Sequence, residues 1–597
     1  MNKTIIEVTN RIIERSSKTR SAYLIQMKEA EEKGRSRAAL SCGNLAHAFA
    51  ACNDHEKTEL SGVKTPNLAI ISSFNDMLSA HKTYETYPDQ IRKTAQENGA
   101  VAQFAGGVPA MCDGVTQGQA GMELSLLSRD VIAMSAVIAL SHNMFDGTLC
   151  LGICDKIVPG LLIGALKFGH LPTVFVPGGP METGISNDEK ARIRQDYANG
   201  IISREELLKG ESASYHSAGT CTFYGTANSN QMLMEIMGLH LPGSSFVNTK
   251  TPLRDALTDE AVKQLIRNID EENKIPLYQI IDEKSIVNGL IGLLATGGST
   301  NHTMHMVAIA KSAGILIDWE DFSDLSKVIP SITKVYPNGK ADINHFHAAG
   351  GMSYVMRTLL ENDLLHEDVT TVVGKGLKNY INEPFLKENE LFFKEGPKES
   401  LDKEVISSVK SPFDEEGGIK LIRGNIGKAV CKVSAVKKEN RVVEAPAMVF
   451  DDQDDVIEAF KAGKLNKDCI VVVRFQGPKA LGMPELHKLT PTLSILQHNG
   501  FKVALVTDGR MSGASGKVPS AIHVSPEALD GGLLPFLRDG DELKLDCNTG
   551  ELNCLNEEEV TKREPVKIPK RKNGTGRELF DNVRALISTS ETGATIF

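Results

Sequence analysis

The chain has 597 residues, of which 41% are hydrophobic and 24% charged, and it carries a net charge of −10 at neutral pH. This length exceeds one ordinary hydrophobic core, so two or more domains are expected. The acidic balance argues against a nucleic-acid-binding protein, and no stretch reaches the roughly 18 apolar residues that span a bilayer. The N-terminus has no apolar signal segment. We therefore expect a cytoplasmic enzyme without nucleic-acid or membrane partners.

The first two thirds of the chain predict an α/β domain. Mixed charged and apolar residues at helical spacing predict helices through about residue 60. Short apolar runs at 68–71, 148–153 and 172–176 then end in glycine or polar turns, and helical patterns separate them. This alternation predicts an α/β/α domain over residues 1–390 with a mainly parallel sheet. In such domains, ligands bind at the carboxyl ends of the strands.

The C-terminal third has a different texture. Charged sequence with little periodicity at residues 382–400 predicts a domain boundary. Strand-like runs follow at 419–422, 442–450, 470–475, 503–506 and 543–555. The last run contains Asn548-Thr549-Gly550, which is typical of a hairpin turn. Residues 391–597 are therefore predicted to form a β-rich, barrel-like domain.

Three of the ten cysteines lie in polar or glycine-rich settings: Cys112, Cys154 and Cys221. The other seven are predicted to be packing residues, and disulfides are not expected in a chain without a signal segment. Cys112-Asp113 and Cys154-Asp155-Lys156 each place a soft thiolate beside a hard carboxylate. For one isolated triplet, a buried cysteine beside a surface ion pair is the commoner outcome. Three thiolates could hold an iron–sulfur cluster with one open iron, and zinc stays an alternative.

Polar turns elsewhere offer further candidates. A glycine-serine-threonine turn at residues 296–302 could cradle a carboxylate or phosphate with its backbone amides, or it could be an ordinary helix N-cap. Its candidate binding residues are Ser299, Thr300 and Asn301. In the C-terminal domain, loops after strands carry Glu485 and Ser512. Ser512 lacks the Gly-x-Ser-x-Gly pattern of a hydrolase nucleophile, and Gly516-Lys517 does not fit a phosphate-binding loop.

These motifs occur together in one known family. Residues 154–160, 219–221, 296–301, 482–485 and 507–513 resemble the dihydroxy-acid/6-phosphogluconate dehydratase family, and residues 8–16, 142–147 and 342–351 resemble its phosphogluconate branch. The resemblance implies a hydro-lyase that removes water from 6-phospho-D-gluconate in the Entner–Doudoroff pathway, working as a homodimer. A dehydratase of another sugar acid or of branched-chain 2,3-dihydroxy acids is the alternative. A non-catalytic iron–sulfur sensor is a remote one.

The resemblance also implies cofactors. Ala80 stands where two-iron members carry a cysteine, which favours a [4Fe-4S] cluster. Its implied ligands are Cys112, Cys154 and Cys221. A hard divalent ion, Mg²⁺ or Mn²⁺, would be held by Asp113, Asp155 and Glu485, with Lys156 contributing as a catalytic residue if it is carbamylated.

Ser512 matches the proposed base of the family. The substrate phosphate needs cationic or amide donors, and the candidates are Arg510, Lys479 and Lys517.

Overall fold

The structure is a computed structural model that describes residues 1–198, 200–511, 517–571 and 573–597. The chain begins with helices, as the sequence predicts: α1 (Lys3–Glu32), α2 (Cys42–Ala50) and α3 (Asp54–Ser61). The side chain of Asn2 caps the first of these by accepting a hydrogen bond from the Thr4 amide. Apolar residues at helical spacing, such as Ile5, Val8 and Ile12, turn one face of α1 into the core.

A parallel sheet follows, which confirms the α/β prediction. Its strands are β1 (Asn67–Ser72), β2 (Val101–Gly107), β3 (Gly147–Leu151) and β4 (Thr173–Val176), and they lie in the order β2-β1-β3-β4. Every neighbouring pair is parallel. The helices between them are α4 (Ser79–Lys82), α5 (Tyr87–Glu97), α6 (Asp113–Thr116), α7 (Ser125–Leu140) and α8 (Ile157–Leu166). The strand order reverses at β1, so the loops after β2 and β3 flank the carboxyl end of β1.

Helices α7 and α8 pack so closely that glycines of α8 lie directly against the backbone of α7. A Cβ atom at Gly160 would lie 2.6 Å from the Arg129 carbonyl oxygen, and one at Gly164 would lie 2.7 Å from that of Ala133. Side chains larger than hydrogen would force the helices apart. This contact holds the start of α8, and therefore the preceding Lys156, close to α7.

Further helices follow the sheet in the chain. They are α9 (Asn187–Ala198), α10 (Arg204–Ser214), α11 (Thr226–Ile236), α12 (Pro252–Ile269), α13 (Leu277–Ile280), α14 (Glu283–Thr296), α15 (His302–Ser312), α16 (Trp319–Ser326), α17 (Ile343–Ala348) and α18 (Gly351–Glu361). Two hairpins come next, formed by β5 (Thr370–Thr371), β6 (Gly374–Lys375), β7 (Asn382–Lys387) and β8 (Glu390–Glu395). The second hairpin spans residue 390, and the division of the chain there stays a prediction.

The C-terminal part contains a closed barrel, which confirms the barrel-like prediction. The barrel strands are β9 (Ile419–Gly424), β10 (Gly427–Lys432), β11 (Val442–Phe450), β12 (Cys469–Val473), β13 (Val503–Thr507), β14 (Ser520–Ser525), β15 (Glu542–Asp546) and β16 (Glu551–Cys554). Their order around the barrel is β10-β14-β13-β12-β11-β15-β16-β9. Helices here are α19 (Gln453–Lys461), α20 (Pro478–Leu481), α21 (Leu489–His498), α22 (Glu557–Val560) and α23 (Asp581–Leu586).

Two composition-based expectations can be compared with this fold. Within the described residues, no helix has the length and apolar character needed to cross a membrane. Of the seven cysteines predicted to be packing residues, six are buried. Cys42 is exposed, so the prediction was wrong there: Cys42 starts α2, a helix without buried residues.

Candidate metal and substrate site

Two loops at the carboxyl edge of the sheet bring the predicted thiol–carboxylate pairs together. Cys112 and Asp113 follow β2, and Cys154 and Asp155 follow β3, so both pairs lie at the same edge. Cys154 has a φ of 69°, in the left-handed region that non-glycine residues rarely adopt. Strained backbone of this kind concentrates at functional sites.

The three candidate cluster cysteines affect one another electrostatically. The hydrogen bond between Cys154 and Cys112 lowers the pKa of Cys112 to about 7, and the same bond together with burial raises the pKa of Cys154 well above its ordinary value. Burial, followed by the charge of Cys112, raises the pKa of Cys221. All three are free thiols. The structure thus gathers three soft donors from separate loops.

Helix α11 fixes two of these loops. The side-chain amide of Asn228 donates to the Cys221 carbonyl oxygen at 2.7 Å. Two residues further along the helix, the side-chain amide of Asn230 donates to the carbonyl oxygens of Cys154 and Asp155 at 2.9 and 3.1 Å. A single buried helix therefore sets the spacing of Cys154 and Cys221.

Beside the thiols lies a group of three carboxylates. Asp113, Asp155 and Glu485 each offer an oxygen atom, and these atoms lie within 4.8 Å of one another. The Lys156 Nζ atom is 2.6 Å from Asp113 Oδ2 and 2.7 Å from Asp155 Oδ2. Nitrogen atoms of Arg510 lie 2.9 Å from Asp113, 3.3 Å from Glu485 and 3.4 Å from Asp155. Three acids and two cations thus share one buried space.

Burial and the neighbouring charges determine the protonation states of the three carboxyl groups. Burial alone would raise the pKa values of Asp113 and Asp155, but the charge of Lys156, assisted by Arg510, holds both below the ordinary value. For Glu485, burial and then the charge of Asp113 raise the pKa to about 7. Near neutral pH the two aspartates are ionised, and Glu485 can change its protonation state.

The donor atoms fit two different metal groups. Carboxylate oxygens are the ligands that Mg²⁺ and Mn²⁺ prefer, whereas thiolates prefer iron–sulfur clusters or zinc. The side-chain oxygen of Asn301 is buried and has no hydrogen-bond partner among the described atoms, while its amide nitrogen lies 3.3 Å from Asp155 Oδ2. An unpartnered acceptor beside the carboxylates is the kind of atom that a cation or a substrate hydroxyl satisfies.

Comparison with known proteins decides the family. The model of the dihydroxy-acid/6-phosphogluconate dehydratase N-terminal domain matches residues 65–380, and that of the C-terminal domain matches residues 404–594. The chain belongs to the dihydroxy-acid/6-phosphogluconate dehydratase family. This confirms the predicted resemblance, and it makes the protein a dehydratase, that is, a hydro-lyase.

Curated relatives cover the whole chain of this dehydratase. The phosphogluconate dehydratases of Pseudomonas aeruginosa and Escherichia coli K12 are each 60% identical to it, over 100% of this chain and 99% of theirs. The dihydroxy-acid dehydratase of Caldanaerobacter subterraneus subsp. tengcongensis is 35% identical over 84% of this chain and 88% of its own. The sequence is therefore much more similar to the first group than to the last.

Of the residues predicted to bind substrate in this dehydratase, those of the turn at 299–301 lie beside the carboxylates. The turn before α15 is buried, including Thr300. The Ser299 hydroxyl forms a hydrogen bond with the Thr226 hydroxyl at 2.8 Å and accepts one from the backbone N–H of Asn301 at 3.2 Å. Asn301 is the residue before α15, as the N-cap alternative requires, but its side chain makes no capping bond. The turn thus contacts the carboxylates through Asn301.

The cationic candidates differ in their surroundings. Arg510 is buried among the acids rather than open to an anion, and Lys517 is exposed. Lys479 is paired with Asp530 at 2.7 Å. Ser512 lies outside the described residues, so its role as base stays a prediction.

Two buried residues of this site were not predicted from the sequence. His305 Nε2 is 3.1 Å from Asp155 Oδ1, and Arg129 contacts the other nitrogen of the same ring at 3.2 Å. His305 lies four residues after Asn301 and therefore on the same side of α15. This four-residue spacing could have identified His305 as a site residue, but only if the side of α15 that faces the carboxylates had been known.

Proposed function

We propose that this dehydratase converts 6-phospho-D-gluconate to 2-dehydro-3-deoxy-6-phospho-D-gluconate and water, in the Entner–Doudoroff pathway. The single observation that carries the proposal is the 60% identity to phosphogluconate dehydratases over the full chain. The site supports it chemically. The proton on carbon 2 is weakly acidic beside a carboxylate, and hydroxide is a poor leaving group, so the reaction needs strong charge stabilisation at both positions.

The two donor groups of the site answer this need. When bound, a [4Fe-4S] cluster and Mg²⁺ or Mn²⁺ would act as Lewis acids that polarise the departing hydroxyl and neutralise the enediolate-like charge. The cluster ligands in this proposal are Cys112, Cys154 and Cys221, and the divalent ion ligands are Asp113, Asp155 and Glu485. Cys112-Asp113 and Cys154-Asp155 are adjacent pairs, so each of these two loops would supply one ligand to each group.

The chain's own cations keep the acids in place. Lys156 bridges Asp113 and Asp155 through its amine, and this contact holds both carboxylates ionised and oriented before substrate enters. In this proposal Lys156 is the catalytic charge partner of the ligands, and carbamylation would convert it into a ligand. Arg510 contacts Glu485 at 3.3 Å, and its charge partly opposes the rise in the pKa of Glu485 that burial causes, which gives Arg510 a role in the site other than direct phosphate binding.

Proton removal is assigned to Ser512. A serine hydroxyl is too weak a base by itself, so it needs a nearby cation to stabilise its alkoxide. Arg510 precedes it by two residues. The buried turn of Ser299, Thr300 and Asn301 would bind the hydroxyl and carboxylate end of the substrate, and the exposed Lys517 would contact its phosphate.

We also propose that the protein is a cytoplasmic homodimer. Support comes from apolar side chains left at the surface around the edge strand β2: Phe104 is 42% exposed, and Met134 and Ile138 on the neighbouring α7 are 38% and 66% exposed. A second copy covering this edge would remove them from water. Sedimentation analysis should give twice the chain mass, and a monomer would refute this part.

Anaerobic purification followed by a two-substrate assay tests the proposal. We expect bound iron and sulfide, rapid turnover of 6-phospho-D-gluconate, and little or no turnover of 2,3-dihydroxyisovalerate. Ser512→Ala should abolish turnover and leave the cluster spectrum unchanged. Preference for the branched-chain substrate would favour the alternative dehydratase. A cluster without turnover of either substrate would favour the sensor.

A further inference from the structure

His305 has its hydrogen positions fixed by its two neighbours. The Arg129 guanidinium can only donate, so the His305 Nδ1 atom at 3.2 Å must accept. The proton of the neutral ring then lies on Nε2, which donates to Asp155 Oδ1 at 3.1 Å. All three residues are buried. The result is a directed chain of hydrogen bonds that ends on a proposed metal ligand.

Arg129 is itself held by the C-terminal residues. Its two terminal nitrogens donate to the carbonyl oxygens of Gly593 and Ala594 at 3.0 and 2.6 Å. The neighbouring Asp130 accepts from Arg129 Nε at 2.9 Å and from the Thr595 hydroxyl at 2.9 Å. The guanidinium therefore has partners on both sides, and its direction towards α15 is fixed.

The same C-terminal residues pack against α15, the helix that carries His305. Gly593 has a φ of 98°, and a Cβ atom there would lie 3.0 Å from the Ala308 backbone nitrogen. Ala308 follows His305 by three residues on α15, so it lies on nearly the same side of that helix. The chain end thus contacts both Arg129 and the helix beneath the histidine.

We propose that Arg129 and His305 are positioning residues for Asp155, and that residues 593–595 hold them in place. The inference rests on the proposed role of Asp155 as a ligand of the divalent ion. His305 occupies Oδ1 of Asp155, which leaves Oδ2 directed towards Lys156 and Arg510. Partners that orient a ligand in this way typically contribute roughly 10–100-fold to metal affinity.

Mn²⁺ affinity of the purified full-length protein tests the inference without relying on turnover. Free Mn²⁺ is quantified by electron paramagnetic resonance during titration of the wild type and variants. His305→Ala should weaken Mn²⁺ binding by roughly 10–100-fold. His305→Gln retains a side-chain N–H that can reach Asp155, so it should recover most of the affinity. Arg129→Met should weaken binding in the same direction, because it frees the histidine ring.

A matched control uses another buried histidine. His366 contacts Thr9 at 2.8 Å and is not among the described residues that act on the pKa values of Asp113, Asp155 and Glu485, so His366→Ala should bind Mn²⁺ like the wild type. Circular dichroism checks that each variant is folded, and Arg129→Met decides the question if His305→Ala does not fold.

Wild-type affinity in His305→Ala, or equal loss in the alanine and glutamine variants, would overturn the positioning role. Equal loss in His366→Ala would also overturn it, since general loosening would then explain the effect. A wild-type protein that binds no Mn²⁺ would instead refute the proposed metal site, and the inference with it.

Discussion

Arg510 lies against three carboxylates, and its removal should show how the site balances its charge. Its nitrogen atoms lie 2.9 to 3.4 Å from Asp113, Asp155 and Glu485, and its side chain is 1% exposed. Arg510→Met keeps most of the buried volume but removes the positive charge. Among the described residues that contact the acids, Lys156 would then be the remaining cation.

The size of the effect follows from burial. At an effective dielectric constant of about 20, each contact of this length contributes about 5 kcal/mol before desolvation. Desolvation offsets much of this, and removing one member of a buried ion pair typically costs about 3–5 kcal/mol. We expect metal-free Arg510→Met to lose about this much free energy of unfolding at pH 8.

The loss should depend on pH through Glu485. Its pKa in the wild type is about 7, against 4.5 for an unperturbed glutamate, and losing Arg510 raises it further. Above pH 7 the folded variant therefore binds a proton that the unfolded chain does not. Its stability then falls with rising pH more steeply than that of the wild type, by up to about 1.4 kcal/mol per pH unit. At pH 6 both proteins have a largely protonated Glu485, so the difference is smaller.

Urea unfolding of chelator-treated protein between pH 6 and 8.5 measures this dependence. The control is Arg474→Met: Arg474 is also buried, but among the described residues it pairs with a single carboxylate, that of Asp451 at 2.7 Å. We expect Arg474→Met to lower the free energy of unfolding by about the same amount at every pH in this range. A loss in Arg510→Met that does not grow between pH 6 and pH 8 would refute the charge-balance reasoning.

Three further predictions concern the cluster, the helix contact and acid stability. Cys154→Ser should lose bound iron, whereas Cys150→Ser, which changes a buried thiol of β3, should retain it; equal iron in both by chemical analysis would remove Cys154 as a ligand. Gly160→Ala places a Cβ atom 2.6 Å from a carbonyl oxygen of α7 and should destabilise the protein by roughly 1–3 kcal/mol. In Gly62→Ala the added Cβ atom would lie 3.6 Å from the Glu59 carbonyl oxygen, an ordinary contact distance, so the thermal midpoint should not change; equal midpoints in both variants would contradict the close-packing argument. Burial lowers the pKa of His81 to about 4 from 6.5, so the unfolded chain binds an extra proton between these values and stability falls as pH drops through them. His81→Gln should reduce that fall by about 1.4 kcal/mol per pH unit in urea unfolding, and an unchanged slope would count against a neutral buried ring.

The parallel sheet was predictable to the extent that its strands are buried. β1, β3 and β4 are continuous apolar runs that the pattern identifies. β2 was missed because Gln103 and two glycines interrupt it, and its position at the sheet edge leaves it partly exposed. An edge strand needs no continuous apolar run, so periodicity alone does not reveal it.

The site was predictable where chemistry follows directly from strand ends. Both Cys-Asp pairs come after parallel strands, and such strand ends meet at one edge. The surroundings of Arg510 were not predictable, because they depend on a loop from the barrel entering between Asp113 and Asp155. The contact of His305 with Asp155 likewise depends on the placement of α15, about 150 residues later in the chain.

In the proposed site, the three cysteines bind an iron–sulfur cluster, and the three carboxylates bind a divalent ion. Electron paramagnetic resonance of the reduced cluster, recorded with Mn²⁺ or with Mg²⁺ added, tests this most directly. We predict that paramagnetic Mn²⁺ broadens the cluster signal and diamagnetic Mg²⁺ does not, and that Asp155→Asn abolishes the broadening. Identical cluster signals with both ions, in protein shown to contain bound Mn²⁺, would contradict the account.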